Sequence, residues 1–188
     1  MRIIAGEYRG HRLKTLRGHE VRPTSDKLRE TLFNILRADV PGSVFIDCYA
    51  GTGAVGLEAL SRGAVQVYLI ERDATAGATI EQNLAALKIS SDGDRRVRIL
   101  RATVQAGLRK LVAQGICARL CFLDPPYALL PEALKNLAWL CGSSLMHSEG
   151  VIILEHDSKD PSPAQAGDWS RSRLLRQGSS ALSFYRKD

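Results

Sequence analysis

The residues with the most specific chemistry in this sequence lie in one short segment, Leu123-Asp124-Pro125-Pro126-Tyr127. Two consecutive prolines fix the backbone φ and remove two N–H donors, so the segment is stiff and presents only hydrogen-bond acceptors. A carboxylate and a backbone carbonyl held side by side accept both hydrogens of an amine, and a tyrosine ring offers a flat face for stacking a base. The segment predicts a site that activates an exocyclic amine, with four catalytic residues: Asp124, Pro125, Pro126 and Tyr127.

A second segment, Asp47-Cys48-Tyr49-Ala50-Gly51-Thr52-Gly53, follows an apolar run and precedes a stretch rich in small residues. Glycines at such a turn let the backbone approach a ligand at the carboxyl end of a strand. Glu71 ends the next apolar run, 20 residues after Gly51, where a carboxylate binds both hydroxyls of a ribose. This spacing predicts a cofactor that contains adenosine.

Asp47 distinguishes two such cofactors. A nicotinamide dinucleotide carries a pyrophosphate, which a neighbouring carboxylate repels, whereas the ammonium and sulfonium groups of S-adenosylmethionine attract it. We therefore expect S-adenosylmethionine, with S-adenosylhomocysteine as its product. The residues assigned to this cofactor are Asp47, Tyr49, Ala50, Gly51, Gly53, Glu71 and Arg72.

The hydrophobic pattern alternates between strand and helix from residue 44 onward. The predicted strands are 44–48, 65–70, 97–100, 120–123 and 150–155, and the predicted helices are 53–62, 73–87, 104–113 and 131–140. A helix over 26–38 precedes them, and a polar loop at 157–168 and two strands, 169–175 and 181–186, follow. Repeated β-α units predict an α/β fold with a doubly wound, mostly parallel sheet. If the fourth strand lies beside the first, Asp124 meets the glycine loop.

The two ends of the chain are basic. The net charge is +6, with +4 in residues 1–22, +4 in residues 169–188 and −2 between them, which indicates a polyanionic partner. Residues 2–16 alternate as a β-hairpin does, with Arg12 and Lys14 on one face. We therefore divide the chain into a basic hairpin extension at 1–22 and a domain at 23–188. The expected phosphate contacts are Arg2, Arg9, Arg12, Lys14, Arg17 and Arg22.

Several classes of protein are excluded by composition. No apolar run approaches the roughly 20 residues of a membrane-spanning helix, and the N-terminus lacks the apolar core of a secretory signal, so we expect a cytoplasmic protein without a membrane partner. The four cysteines form no Cys-x-x-Cys pair and no histidine lies at zinc-finger spacing, so we expect no metal and no disulfide.

These residues, in this order, resemble the class I methyltransferases that modify base amino groups, and the whole chain is similar to the RsmD family of 16S ribosomal RNA guanine-N2 methyltransferases. The glycine loop and the Asp124–Tyr127 segment carry part of the resemblance. Longer signatures carry the rest: Arg2-Ile3-Ile4-Ala5-Gly6, Arg9-Gly10, Arg22-Pro23-Thr24, Arg29-Glu30, Leu32-Phe33-Asn34-Ile35-Leu36 and Gly56-Leu57-Glu58-Ala59-Leu60-Ser61-Arg62-Gly63-Ala64.

The resemblance implies a Rossmann-like, seven-stranded sheet whose last strand is antiparallel. It also implies methylation of the N2 amine of a guanine, contact between the N-terminal hairpin and RNA, and ribosomal RNA or a small-subunit particle as partner of a monomer. It adds Thr24, Thr103 and Val104 to the cofactor site, with Thr103 where the family often has Asp or Asn against adenine and the Val104 amide as a second adenine contact. Glu7 and His11 depart from the pattern, because Lys and Arg are common there. The family's usual Asp-Leu-Phe-Ala-Gly-Ser-Gly is also altered at three positions: Cys48, Tyr49 and Thr52.

Three other functions compete with this interpretation. A dinucleotide-dependent oxidoreductase leaves the Asp-Pro-Pro-Tyr segment unexplained. A DNA adenine-N6 methyltransferase shares that segment but usually needs an extra region to read sequence. A non-enzymatic RNA-binding assembly protein with the same fold would bind RNA even without Asp124 and transfer no methyl group.

Overall fold

A computed structural model of the protein describes residues 1–16, 26–90 and 93–188. Within these residues the alternation of strand and helix follows the expected order. The helices are α1 (Asp26–Ile35), α2 (Ala54–Ser61), α3 (Ala74–Ala86), α4 (Val104–Ala113) and α5 (Leu130–Cys141), with a 3-10 turn at Tyr127–Leu129. The strands are β1 (Val44–Cys48), β2 (Gln66–Ile70), β3 (Val97–Leu100), β4 (Ala118–Leu123), β5 (Met146–Asp157), β6 (Gln165–Ala166), β7 (Trp169–Gln177) and β8 (Ser180–Lys187).

These strands belong to one sheet in the order β3-β2-β1-β4-β5-β8-β7-β6. The pairs among β1 to β5 are parallel. The chain moves outward from β1 to β3 and then returns to place β4 on the other side of β1. This reversal creates a crevice at the carboxyl ends of β1 and β4, where open α/β sheets bind ligands. The predicted neighbourhood of the first and fourth strands is confirmed.

The doubly wound, mostly parallel fold is confirmed, but the expected count of seven strands is wrong. The additional strand, β6, is only two residues long and pairs with β7, inside a segment that we predicted as loop. Two residues are too few to show the alternation that marks a strand in sequence. The antiparallel part comprises three strands, because β8 pairs with β5, β7 with β8 and β6 with β7.

Helices cover both faces of the sheet. One apolar cluster joins α1, α2, α3 and the N-terminal segment to one face, and a second joins α4 and α5 to the other. The residues of β1 and β4 are almost all buried, as expected for parallel strands between two helical layers. This burial fixes the strand ends, which carry the candidate site.

The predicted N-terminal β-hairpin is present but short: residues 1–3 pair antiparallel with residues 11–13 through backbone hydrogen bonds around the bridge between Arg2 and Arg12. The backbone amides that would extend a ladder have a different acceptor: those of Ile4 and Ala5 donate to the Glu58 carboxylate at 2.8 and 3.1 Å. Glu58 lies on α2 and is fully buried. The predicted hairpin is therefore present in its pairing but shorter than expected, because a buried carboxylate takes the amides that follow Ile3.

The N-terminal segment lies directly against α2. Gly6 has φ +85°, and a Cβ atom on it would overlap the Ser61 carbonyl oxygen; only glycine fits this approach. All eight residues of α2 are buried, and Ile3, Tyr8 and Leu13 join the same apolar cluster. Residues 1–16 therefore form part of the core, and the expected boundary at residue 22 falls outside the described residues.

Candidate active site

The glycine loop leaves β1 through three residues with positive φ: Tyr49 at 62°, Gly51 at 56° and Gly53 at 78°. The carboxylate of Glu71, at the end of β2, holds this loop. Its Oε2 accepts from the Gly51 amide at 2.8 Å and its Oε1 accepts from the Asp73 amide at 2.7 Å. Two backbone amides thus fix the Glu71 carboxylate at the carboxyl edge of the sheet.

Asp47 lies below the loop and is almost fully buried. Its Oδ2 accepts from the Gly56 amide at 2.9 Å, which satisfies a donor in the first turn of α2 where Gly53 provides no side-chain cap. Burial raises the pKa of Asp47 to about 8, and the charges of Asp124 and Glu71 add to the rise. Asp47 therefore holds a proton at neutral pH in the protein as it stands.

Gly56 brings α2 close enough for this hydrogen bond. A Cβ atom on Gly56 would overlap Leu69 Cδ2 and lie 3.3 Å from Asp47 Oδ2. The third glycine of the G-x-G-x-x-G pattern is therefore needed for packing between helix and strand.

The Asp124–Tyr127 segment begins where β4 ends. Leu123 is in register with Cys48 on the neighbouring strand, so Asp124 and Tyr49 leave adjacent strands at the same edge. Pro125 is buried, whereas Tyr127 is 56% exposed. The segment is thus anchored by one proline and presents its aromatic ring to solvent.

One cavity of about 540 Å³ joins the two segments. Among the described residues of its wall there are five carboxylates and a single arginine or lysine, Arg72. The carboxylates are Asp47, Glu71, Asp73, Asp124 and Glu132. Asp47 is protonated in the absence of a ligand, and the other four carboxylates favour a cationic ligand over one that carries phosphates.

Most of the predicted cofactor residues line this cavity. They are Asp47, Tyr49, Ala50, Gly51, Glu71, Arg72, Thr103 and Val104. Gly53 lies outside the wall, and Thr24 lies outside the described residues. Of the predicted catalytic residues, Asp124 and Pro126 line the cavity, whereas Pro125 and Tyr127 do not.

Thr103 stands at the start of α4 and caps it. Its hydroxyl accepts from the Ala106 amide at 3.4 Å, and Val104 is the first residue of the helix. The first amides of a helix have no partner within it, so this helix start offers backbone donors at the cavity wall.

The N-terminal segment also contributes to the wall through Met1, Thr15 and Leu16, which the sequence analysis missed. The link is Asn83 on α3, which is fully buried. Its Oδ1 accepts from the Lys14 amide at 2.7 Å, and its Nδ2 donates to the carbonyls of Lys14 and Thr52 at 3.3 and 2.9 Å. In the sequence, Asn83 is an isolated polar residue on the inner face of a predicted helix, and this was the available signal for the contact.

The predicted phosphate contacts are exposed where the structure describes them: Arg2, Arg9, Arg12 and Lys14. Lys14 donates to the Gln82 side chain at 3.0 Å. Among the described residues, no carboxylate forms an ion pair with these four. Arg17 and Arg22 lie outside the described residues.

Within residues 1–16, 26–90 and 93–188, no cluster of three or more His, Cys, Asp or Glu side chains could hold a metal ion. Cys48 and Cys121 are buried free cysteines. No helix in this part of the chain is long and apolar enough to cross a membrane.

The doubly wound fold, with its cavity at the carboxyl ends of β1 and β4, is similar to that of class I methyltransferases. Residues 1–186 match the family described as Conserved hypothetical protein 95, to which the chain belongs, and the resemblance to the RsmD family is confirmed. Ribosomal RNA small subunit methyltransferase D of Escherichia coli (strain K12) is 35% identical over 194 residues, which cover 100% of this chain and 90% of that protein.

Solved structures agree with this assignment. Hypothetical protein TTHA0928 of Thermus thermophilus is similar with a TM-score of 0.81 and 29% identity, over 99% of each chain. SMU.776, solved in complex with SAH (S-adenosylhomocysteine), is similar with a TM-score of 0.62 and 11% identity, over 81% of this chain and 48% of that chain. The second likeness is one of fold alone.

Proposed function

We propose that this chain transfers a methyl group from S-adenosylmethionine to the exocyclic N2 amine of a guanine in small-subunit ribosomal RNA. One observation carries the proposal: Asp124 and the glycine loop leave adjacent strands and line the same cavity. The name of the Escherichia coli relative supports a ribosomal RNA substrate.

The cavity fits this methyl donor better than a dinucleotide. When bound, S-adenosylmethionine supplies a methyl group on a positively charged sulfur, and its amino-acid end carries an ammonium. The four carboxylates other than Asp47, against one arginine in the described wall, attract these positive charges and repel a pyrophosphate. The complex of SMU.776 with SAH, a protein of the same fold, supports the same choice.

We name the part of the wall formed by Asp47, Gly51, Glu71 and Thr103 the cofactor half. In it, Glu71 binds the ribose hydroxyls while the Gly51 and Asp73 amides keep its carboxylate in place. The Thr103 hydroxyl and the Val104 amide lie at the start of α4 and select adenine. Asp47 provides a buried carboxylate whose charge a cationic ligand favours.

We name the part formed by Asp124, Pro126, Leu129 and Glu132 the amine half. A purine amine is a weak nucleophile because its lone pair is delocalised into the ring. The Asp124 carboxylate and a backbone carbonyl of the proline segment accept its two hydrogens, which favours a pyramidal nitrogen with its lone pair directed at the methyl carbon. Asp124 then stabilises the positive charge that develops on nitrogen and accepts the departing proton.

RNA is held outside the cavity. The exposed Tyr127 ring stacks on a base, and the basic side chains of the N-terminal segment contact phosphates. The proposed phosphate contacts are Arg2, Arg9, Arg12, Lys14, Arg17 and Arg22. The proposed partner is ribosomal RNA or a small-subunit particle, bound by a monomer.

The test is a methylation assay with isotope-labelled S-adenosylmethionine on naked small-subunit RNA, a protein-bound assembly intermediate and the complete subunit. Digestion and mass spectrometry then identify the labelled nucleoside and its position. We expect N2-methylguanosine from at least one substrate. Label in N6-methyladenosine would favour the adenine-N6 alternative, and RNA binding without any transfer would favour the non-enzymatic one.

A further inference from the structure

Three side chains form a hydrogen-bonded series that ends at Glu132 in the amine half. Asn136 on α5 is buried, and its Nδ2 donates to the Tyr49 hydroxyl oxygen at 3.2 Å. The Tyr49 hydroxyl donates in turn to Glu132 Oε1 at 3.4 Å. Because the amide nitrogen only donates, the single hydroxyl proton of Tyr49 is directed at Glu132.

Tyr49 reaches Glu132 from an unfavourable backbone conformation. Its φ of 62° lies in the left-handed region, which a bulky side chain rarely adopts. Such outliers persist only where the surroundings impose them, and they concentrate at functional sites. Burial also raises the pKa of the Tyr49 hydroxyl, so it remains a proton donor at physiological pH.

Glu132 lies in the first turn of α5, half-buried, and lines the cavity with Asp124, Pro126 and Leu129. The described residues provide a donor to its Oε1 but none to its Oε2. No described lysine or arginine forms an ion pair with it. Glu132 therefore presents a carboxylate oxygen to whatever base enters beside Asp124.

The edge of guanine suits two carboxylates. Its N1–H and its 2-amino group are adjacent donors, whereas adenine presents an acceptor at N1 next to its amine. A carboxylate opposite N1 accepts from guanine and is repelled by the lone pair of adenine. A site built to hydrogen-bond a donor discriminates strongly against a base that lacks it.

We propose that Glu132 is a specificity-determining residue that accepts a hydrogen bond from N1–H of the target guanine, while Asp124 holds its 2-amino group. Tyr49 and Asn136 are positioning residues that fix the Glu132 carboxylate. This inference rests on the proposed guanine-N2 activity and specifies how that base is chosen.

The test uses a base that keeps the amine and loses the N1 proton. Once the methylated position is mapped, the RNA is prepared with either guanine or 2-aminopurine at that position, and kcat/KM is measured for both. Wild type should favour guanine. In Glu132→Gln the side-chain amide donates to N1 of 2-aminopurine, so the preference for guanine should narrow at least about 10-fold, as expected for one charge-assisted hydrogen bond.

Two variants control this experiment. Tyr49→Phe keeps the ring and removes the hydroxyl, so the preference should narrow less than in Glu132→Gln. Glu149→Gln, an exposed glutamate paired with Arg119, should leave the preference at the wild-type value. SAH affinity should be unchanged in Glu132→Gln and Glu149→Gln, which separates base choice from damage to the fold.

The role of Glu132 would be overturned if wild type and Glu132→Gln showed the same preference for guanine. It would also be overturned if Glu132→Gln lowered kcat/KM by the same factor on guanine and on 2-aminopurine. Failure of the proposed function gives a different result, because wild type would then methylate neither RNA.

Discussion

In the cofactor half of the cavity, backbone amides hold the two central carboxylates: Gly56 binds Asp47, and Gly51 and Asp73 bind Glu71. In the amine half, side chains contact side chains, as in the series Asn136–Tyr49–Glu132. The Tyr127 ring, which lies next to the amine half but outside the cavity wall, is mostly exposed.

The difference indicates how each half responds to mutation. A carboxylate bonded to backbone amides supports the loop as well as the ligand, so its loss should affect both binding and stability. A side chain at the exposed end acts on the substrate alone, so its loss should affect turnover and leave the fold intact. Substitutions in and around each half should therefore separate the two kinds of effect.

Tyr127, which lies beside the amine half, should affect turnover and leave the fold intact. Base stacking contributes about 1–3 kcal/mol, so Tyr127→Ala should lower kcat/KM on RNA by about 5- to 150-fold. Tyr127→Phe keeps the ring and should remain close to wild type. Equal losses in both variants would assign the effect to the hydroxyl instead of the ring.

Glu71 should show the behaviour of the cofactor half. Glu71→Ala removes the acceptor for ribose and for two backbone amides, so calorimetry should find SAH binding weakened about 10- to 100-fold, the equivalent of a charged hydrogen bond or more. The Tm of the Glu71→Ala variant should also fall. The matched control is Glu81→Ala, which removes an exposed partner of Arg101 and should change neither quantity. Unchanged SAH affinity in Glu71→Ala would remove Glu71 from the cofactor half.

The N-terminal basic residues lie outside the cavity, so their loss should affect RNA binding and not cofactor binding. Replacing Arg9, Arg12 and Lys14 together by Ala should weaken binding of small-subunit RNA and lower its salt slope by up to about two to three. SAH affinity should stay near wild type, because Lys14 contacts Asn83 through backbone atoms that alanine retains.

The C-terminal basic end provides the matched control for this variant. Arg186 and Lys187 already form ion pairs with Asp39 and Asp168, so their double replacement by Ala should reduce the salt slope less. Equal slopes in the N-terminal variant and wild type would show that these charges do not contact RNA.

Asp47 should make stability depend on pH. Its folded-state pKa is about 8, whereas the unfolded chain releases this proton near pH 4. The folded state therefore binds the extra proton between these values, so stability should fall as pH rises from about 4 to about 8. Asp47→Asn should flatten this slope and raise Tm at pH 8 by about 2–4 °C for each kcal/mol recovered. An Asp188→Asn control should retain the wild-type dependence of stability on pH. If Asp47→Asn also retained that dependence, Asp47 would already be ionised in the folded protein.

Local patterns predicted the sheet and the chemistry better than they predicted contacts between distant segments. The β-α alternation and the Asp47, Glu71 and Asp124 positions follow from periodicity and strand ends, which are local properties. The N-terminal hairpin is shorter than predicted because Glu58, more than fifty residues away, takes the amides of Ile4 and Ala5. Thr15, Leu16 and Glu132 reach the cavity only through tertiary packing, which no short window of sequence records.

The most direct test of the separation between the two halves is a paired measurement on Asp124→Ala. SAH affinity by calorimetry and the single-turnover methylation rate with excess enzyme are determined on the same preparation. The structure predicts affinity within about twofold of wild type, since one residue outside the cofactor half is removed, and a rate reduced by at least about 100- to 1000-fold. A single-turnover rate equal to that of wild type would contradict the assignment of Asp124 to the chemical step.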